Sequence, residues 1–489
     1  MNIYTVRKAT QGLADYLKAR YDAPCVAVSF DSRIKSELFA REAARVLAGN
    51  GVTVHLFGEL EPTPVLSFAV RELSCQAGIM VTASHNPAKY NGYKCYGSDG
   101  CQMTDRDAGE VTACIRRVDI FEDVRVADYE KAITDGRIRP IGESLLADFL
   151  ARVESCQVNP GVCGKTPLHV IYTPLNGTGN KPVREILHRI GVARVEVVPE
   201  QELPDGNFPT APYPNPEIRQ AFACALKLAE KSRPDLLLAT DPDCDRVGIA
   251  VRSDEEYTLM TGNEVGCLLL HYILSCKAAS GTLPADPVVV KTIVTSDLAA
   301  RIAEKYGCQV VEVLTGFKYI GEQIGLLEKE GRPDRYVFGF EESYGYLSGT
   351  YVRDKDGGDI KLDVDKTADG LKAAVPFKDE MTAIEESVIY RLYDIDKEDV
   401  VKAKVYTGTA ATAEEIAVFE AKDKDAAGRI YKAVQGRIAD QKEGFEDYHP
   451  EEMTKLNAPY LEQTGKYVVL CLSDDNAKAK AEVDKQLKS

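Results

Sequence analysis

The chain is 489 residues long and carries a formal net charge of −16, from 60 basic and 76 acidic side chains. That length suits three or four domains of roughly 100–200 residues. The acidic balance argues against broad nucleic-acid binding, although a local basic pocket can still hold an anion. With 44% hydrophobic and 28% charged residues, disorder, collagen and simple coiled coil are excluded for the whole chain. No apolar run approaches the roughly 18–20 residues that span a membrane, and the opening MNIYTVRKATQGLADYL lacks the apolar core of a secretory signal. The 13 cysteines are odd in number, contain no CxxC, and leave Cys95 and Cys101 without a histidine at zinc spacing. They read as buried or half-buried free thiols in a reducing cytoplasm.

Strand-like and helix-like segments alternate from the start. Cys25–Phe30 reads as a buried strand, and Asp31-Ser32 as a cap for a helix whose apolar face is Leu38, Phe39, Ala43, Val46 and Leu47. A strand at 52–57, a helix at 66–73 and a strand at 78–82 complete a βαβ rhythm, which implies a parallel or mixed sheet. The rhythm restarts after a charged connection at 119–140. It gives a helix at 143–156, a strand at 168–172, the loop NGTGN at 176–180, a helix at 182–190, a strand at 195–198, a helix at 216–231 and a strand at 235–240. A third cycle has strands at 288–292, 310–314 and 336–340. Composition then changes: 24 Arg and 16 Lys occur through Gly357, against 3 Arg and 17 Lys after it, and twelve of the 13 cysteines precede the break. The tail is expected to be a separate α+β module, with helices near 365–374, 413–419 and 425–441 and a strand at 467–472.

Three motifs fall where predicted strands end, the edge at which α/β sheets bind ligands. The first is Thr82 to Pro87, TASHNP. Ser84 there can be a nucleophile, a phosphate carrier or a turn residue. A Ser-His-Asp hydrolase is disfavoured, because adjacent Ser84 and His85 rarely share a productive geometry and no GxSxG elbow is present. The second is DPDCDR. Asp241, Asp243 and Asp245 at i, i+2 and i+4 place three carboxylates on one side of an extended chain, a donor set for a hard cation such as Mg²⁺; the alternative is a solvated acidic turn. Arg246 and Arg252 stand where a calcium loop needs Gly and Glu, so that geometry is excluded. Arg246 can instead serve an anion beside the metal. The third is GFEESYG, Gly339 to Gly345, whose carboxylate and hydroxyl groups suit a ligand rich in hydroxyls. Thr315, Gly316 and Lys318 (TGFK) form a strand-to-helix turn with one lysine. A hydroxyl, a metal triad and a sugar-type loop at equivalent strand ends describe phosphoryl transfer on a sugar. A metal-dependent phosphatase of another fold is the rival, and the sugar loop argues against it.

TASHNP, DPDCDR and GFEES, in this order and spacing, resemble the phosphoserine, metal and sugar-recognition loops of the α-D-phosphohexomutase family over about residues 1–357. The wording GFEESYGY is similar to the bacterial phosphoglucomutase and phosphopentomutase-like branch. The resemblance implies three tandem mixed-sheet α/β domains, at 1–135, 136–280 and 281–357, the first lacking a leading segment, followed by an α+β module at 358–489 in place of the usual fourth domain. It implies a mutase moving phosphate between C1 and C6 (or C5) of a sugar through a phosphoserine at Ser84 and a bisphosphate intermediate; the alternative is a crippled fragment that binds Mg²⁺ without turnover. By the same resemblance Lys94 and His85 would assist Ser84. Asp241, Asp243, Asp245 and Ser84 would hold Mg²⁺. Arg246, Thr315, Gly316, Lys318, Glu341, Ser343 and Lys355 would bind substrate. A glucose 1,6-bisphosphate-type activator, a cytoplasmic location, a monomer or homodimer, and no nucleic-acid or membrane partner complete the expectation. The stretch YTGTAATAEEIAVFEAKD in the tail resembles an uncharacterised bacterial domain found on lipoproteins.

Overall fold

The computed structural model describes residues 1–487 apart from 255, 355–363, 410–411, 423, 447–448 and 465. The chain divides into two units, Met1–Gly358 and Asp359–Ser489. Within the first unit three sheets follow one another along the sequence. The first contains β1 (Cys25–Phe30), β2 (Thr53–Phe57), β3 (Ala77–Val81), β4 (Lys94–Gly97) and β5 (Ile138–Ile141), in the order β4-β3-β1-β2-β5. Strands β3, β1, β2 and β5 run parallel, and β4 is antiparallel to β3. The second contains β6 (His169–Thr173), β7 (Arg194–Val197), β8 (Leu236–Thr240), β9 (Val247–Ser253) and β10 (Glu256–Leu259), ordered β10-β9-β8-β6-β7. The third contains β11 (Val288–Thr292), β12 (Gln309–Val313), β13 (Tyr336–Glu341) and β14 (Gly345–Leu347), ordered β12-β11-β13-β14. All three are mixed, as the βαβ rhythm implies. Their central strands are near-continuous apolar runs because both faces are covered.

The first sheet lies between helices. Helix α1 (Ile3–Lys18), for which the sequence reading had no element, is opened by a capping box between Asn2 and Thr5, and it buries Val6, Leu13, Ala14 and Leu17 at helical spacing. Helix α2 (Ser36–Gly49) packs beside it, and α3 (Thr63–Glu72) covers the opposite face. Two expectations fail at α2. Asp31-Ser32 does not cap it: the N-cap is Lys35, in a left-handed conformation at φ 70°, and no side chain bonds the helix end. Leu38 faces solvent at 44% exposure, because the buried stripe runs through Phe39, Ala40, Ala43 and Leu47. The predicted helix at 216–231 is shorter. A 3-10 turn at Arg219–Phe222 precedes a helix over Ala223–Ser232, since the Pro-rich approach does not continue an α-helix.

One core cluster joins the first and third sheets. Val65, Leu66, Phe68 and Tyr96 from the first pack with Val288, Val290, Phe317, Ile320 and Ile324 from the third. This shared core fixes the two sets of strand ends relative to each other.

In the second unit, β15 (Thr382–Ala383), β16 (Val400–Thr407), β17 (Glu415–Ala421), β18 (Tyr460–Thr464) and β19 (Tyr467–Leu472) form an antiparallel sheet ordered β15-β16-β17-β19-β18. Apolar clusters cover both of its faces. The helix expected at 413–419 is instead strand β17. It pairs with β16 and β19, which satisfies its backbone on both edges. The helices at Val364–Ala374 and Lys424–Phe445 lie where the sequence placed them. Among the described residues no helix is long and apolar enough to cross a membrane, and all 13 cysteines are free thiols, none of them exposed.

Candidate active site

The loop after β3 is held from below by a buried ion pair. Asp31 follows β1, and its Oδ2 accepts a hydrogen bond from the Thr82 hydroxyl at 2.7 Å and lies 3.1 Å from Arg33 Nε. Arg33 then spends its other nitrogens on four carbonyls of the serine loop. Nη2 donates to Ser84 and Asn86, and Nη1 donates to Pro87 at 2.9 Å and Tyr90 at 3.1 Å. Burial pushes the Asp31 carboxyl up and the Arg33 guanidinium down, and each partly restores the other. A planar fork with several donors is needed for this cradle, so Lys would not replace it. Gly92 completes the fit, because a Cβ there would stand 2.3 Å from the Thr82 carbonyl oxygen.

Clamped in this way, Ser84 adopts a left-handed backbone at φ 50°, uncommon for a non-glycine residue. Its amide donates to Thr82 Oγ1 at 2.8 Å, and its Oγ donates to Asp241 Oδ2 at 2.8 Å across 157 residues of sequence. His85 Nδ1 lies 3.2 Å from the same hydroxyl.

The aspartates extend from the end of β8. Asp241, Asp243 and Asp245 are all buried, and each offers an oxygen within 4.8 Å of the other two. The loop is shaped by Cys244 at φ 54° and by hydrogen bonds from the Asp245 and Arg246 amides to Asp241 Oδ1, at 3.1 and 3.0 Å. The NGTGN loop supports it from the side: the Thr178 amide donates to the Pro242 carbonyl at 2.8 Å, and a Cβ on Gly177 would stand 2.4 Å from Pro242 Cα. Thr63 at the start of α3 donates its hydroxyl to Asp243 Oδ2 at 3.1 Å and its amide to the Asp243 carbonyl at 2.9 Å. Lys94, opening β4, reaches Asp243 Oδ2 at 3.2 Å and Asp245 Oδ2 at 3.7 Å.

The electrostatics are those of a cation site. Burial, then Asp245 and Asp243, push the Asp241 carboxyl well above its ordinary range. Asp243 stays below its own; burial opposes this most, but Lys94 and the bond with Asp241 outweigh it. Asp243 Oδ1 is buried with no hydrogen-bond partner. Three crowded carboxylates, all-oxygen donors and one orphaned lone pair fit a hard divalent ion.

The third sheet brings its loop to the same place. Glu341 ends β13 and is fully buried, with Ser343 Oγ donating to its Oε1 at 3.1 Å. The Val247 amide, just past the metal loop, donates to the Tyr344 carbonyl at 3.2 Å. Burial pulls the Arg246 proton affinity down, and Glu217, Asp245, Asp241 and Glu341 together more than restore it. Arg246 is thus already paired with Glu217 rather than standing open for a bidentate anion. Glu342, the other half of the Glu-Glu pair, accepts from Thr292 at 2.9 Å within its own sheet. Thr315 and Gly316 occupy the turn after β12 and Lys318 the first turn of the helix Phe317–Lys329; β12 is parallel to β11 as β13 is, so all three share the edge that carries Glu341. The Lys318 ammonium lies 5.1 Å above the Tyr319 ring, and its carbonyl accepts the Cys101 thiol at 3.2 Å. Lys355 lies outside the described residues.

Ser84, His85, Lys94 and the three aspartates therefore converge, with Arg246, Glu341 and Ser343 beside them. Residues 1–120, 147–254 and 261–363 match alpha/beta/alpha domains I, II and III of phosphoglucomutase/phosphomannomutase. The chain belongs to this family. It is 38% identical over 391 residues to the phosphoglucomutase of Staphylococcus aureus (strain USA300), covering 79% of this chain and 68% of that protein. It is 36% identical over 397 residues to the phosphoglucomutase of Staphylococcus saprophyticus, covering 80% and 70%. In fold it is similar to a phosphoglucomutase/phosphomannomutase family protein from Burkholderia thailandensis (TM-score 0.57, 16% identity, 100% of this chain and 94% of that one). It is also similar to the parafusin phosphoglucomutase of Paramecium (TM-score 0.58, 14% identity, 99% and 90%). The activity class is that of a phosphosugar mutase, an isomerase. Residues 373–473 match a domain of unknown function (DUF4358).

Sequence reasoning missed Arg33, Thr63 and Glu217. Arg33 carried a usable signal, since Asp31-Ser32-Arg33 ends a predicted strand on the same sheet edge as TASHNP. Arg33→Met leaves Asp31 buried without its cation and frees four carbonyls. It is expected to cost about 3–5 kcal/mol in urea unfolding, together with loss of turnover; a variant with wild-type stability would remove Arg33 from the role of loop clamp.

Glu61, two residues before Thr63, gives a pH signature. Burial pushes its carboxyl up to about 7, against the opposing pull of Lys181, whereas in an unfolded chain it titrates near ~4.3. Between those values the folded chain holds more protons than the unfolded one, so the Glu61 contribution to stability falls as pH rises from about 4.5 to about 7. Glu61→Gln is expected to gain more over wild type at pH 8 than at pH 5. Equal differences in urea midpoint at the two pH values would contradict this.

Proposed function

We propose that this chain interconverts the 1- and 6-phosphates of glucose through a phosphoserine at Ser84. The observation that carries the reading is the Ser84 hydroxyl hydrogen-bonded to Asp241 of a buried aspartate triad. In this reading the phosphorylated Ser84 gives its phosphoryl group to a sugar monophosphate. The glucose 1,6-bisphosphate so formed turns over and returns its other phosphoryl group to Ser84. Asp241, Asp243 and Asp245 would hold Mg²⁺, which when bound neutralises charge on phosphoryl oxygens. In this reading Lys94, 3.2 Å from Asp243, moves the proton of the sugar hydroxyl, and His85 holds the serine hydroxyl or a phosphoryl oxygen. Glu341 and Ser343 accept hydrogen bonds from sugar hydroxyls. Arg246, anchored by Glu217, supplies positive potential to the phosphate, and Thr315, Gly316, Lys318 and Lys355 contribute to substrate binding from the third domain. Glucose is preferred because the staphylococcal relatives carry the name phosphoglucomutase.

The domain division in this reading is 1–135, 136–280, 281–357 and 358–489. Within the C-terminal module Arg429 and Arg437 are bonded to Asp399 and Glu415. The protein is proposed to act in the cytoplasm on a small sugar phosphate, as a monomer or homodimer. The test is a coupled assay with glucose 1-phosphate, Mg²⁺ and a trace of glucose 1,6-bisphosphate. Turnover that depends on all three supports the reading. Turnover of another hexose phosphate alone would reassign the sugar, and hydrolysis without isomer formation would overturn it.

A further inference from the structure

A second cluster of metal-ligating groups stands at the opposite edge of the first sheet. Cys25 opens β1, His55 lies in the middle of β2, and Cys75 sits in the turn between α3 and β3. One donor atom from each lies within 4.8 Å of the other two. Strand β1 separates this cluster from Asp31 and the serine loop by six residues, roughly 20 Å at ~3.3 Å per residue.

The backbone around the cluster is fixed. The Cys25 amide donates to Gln76 Oε1 at 2.8 Å, the Gln76 amide donates to the Cys25 carbonyl at 2.9 Å, and the Cys75 amide donates to the Val70 carbonyl at 2.8 Å. The Cys25 thiol makes a long contact, 3.7 Å, to the Ser74 carbonyl and hydrogen-bonds with the Cys75 and His55 side chains, so the three donors already face one another. Cys75 is buried, whereas Cys25 and His55 are half-buried, which leaves a path for an ion and an open side for a water ligand.

We propose that Cys25, His55 and Cys75 form a site for a thiophilic divalent cation of the zinc class, with solvent as fourth ligand. Two sulfurs and an imidazole nitrogen are the donors such ions select, and the all-oxygen aspartate triad is the donor set they do not prefer. Tetrahedral ligands at zinc–sulfur and zinc–nitrogen bond lengths stand on the order of 3.5–3.8 Å apart, so the observed spacing needs a closure of about 1 Å or less. Binding displaces thiol protons, and the ion ties β1, β2 and the turn before β3 together at the edge remote from the phosphoryl chemistry.

The probe is Co²⁺, titrated into the reduced full-length chain with excess Mg²⁺ present to occupy the aspartates. Wild type is expected to bind one equivalent with a thiolate-to-cobalt charge-transfer band. Cys25→Ser and Cys75→Ser should each remove the band, and His55→Gln should weaken Co²⁺ binding at least tenfold. Cys224→Ser, in a half-buried position elsewhere, should leave the band unchanged. If the buried Cys75→Ser variant does not fold, Cys25→Ser and His55→Gln decide the question. A wild type without the band, a band that survives Cys25→Ser, or a Cys25–Cys75 disulfide in the chain isolated without reductant overturns the assignment. None of these readouts depends on mutase activity.

Discussion

Ser84→Ala is expected to lower turnover of glucose 1-phosphate at least ~10⁴-fold, equivalent to about 5.5 kcal/mol in the barrier. The Thr82 hydroxyl of the same loop is committed to Asp31, whereas the Ser84 Oγ is the atom that meets Asp241. Alanine has the same Cβ sterics at φ 50°, so the fold should be retained and stability should change by less than about 1 kcal/mol. The complementary measurement is direct. Wild-type protein incubated with glucose 1,6-bisphosphate should gain one phosphate, located on the Ser84 peptide by mass spectrometry. Phosphate on another residue with Ser84 unmodified would sink the assignment.

Asp245→Asn should uncouple stability from metal binding. In the metal-free chain three buried carboxylates repel one another, and Asp245 is the larger of the two neighbouring charges that push Asp241 up. Removing its charge relieves that repulsion, so the metal-free variant should melt no lower than wild type. The rise in melting temperature on adding Mg²⁺, expected for wild type from binding to the native state alone, should disappear. Turnover should fall at least ~10³-fold, about 4 kcal/mol. A variant that keeps both its Mg²⁺-induced stabilisation and its activity would show that the triad is only an acidic turn.

The strands on which the chemistry rests were legible because they are short apolar runs ending in polar loops. The observed β1, Cys25–Phe30, and β11, Val288–Thr292, coincide with their expected ranges, and β8 and β13 each differ from theirs by one residue at one end. The errors have physical causes. Residues 413–419 carry an apolar run too short to separate helix from strand, and pairing on both edges decided for strand. Helix α1 has no counterpart among the expected elements, although Val6, Leu13 and Leu17 keep helical spacing. Leu38 looked like part of an apolar face, but one residue of helical phase moves it into solvent. At the site, residues on strand-end motifs were found, whereas Thr63 and Glu217 were not. Their importance comes from contacts with Asp243 and Arg246, 180 and 29 residues away, and nothing local marks them.

Those separations have a kinetic meaning. The Ser84–Asp241 bond spans 157 residues, the Thr63–Asp243 bond 180, and the bond from the Arg353 amide to the Ser67 hydroxyl 286. Each closes a loop whose ends belong to different sheets, and loops of that length are closed only after the local βαβ units exist to hold them. Within the first unit the reactive centre is therefore assembled after the sheets that carry it. A ribosome-bound chain that has completed its first two sheets has both the hydroxyl and the carboxylates but still lacks the loop that recognises the sugar. Loosening the docking between sheets would silence the protein while every strand remained intact.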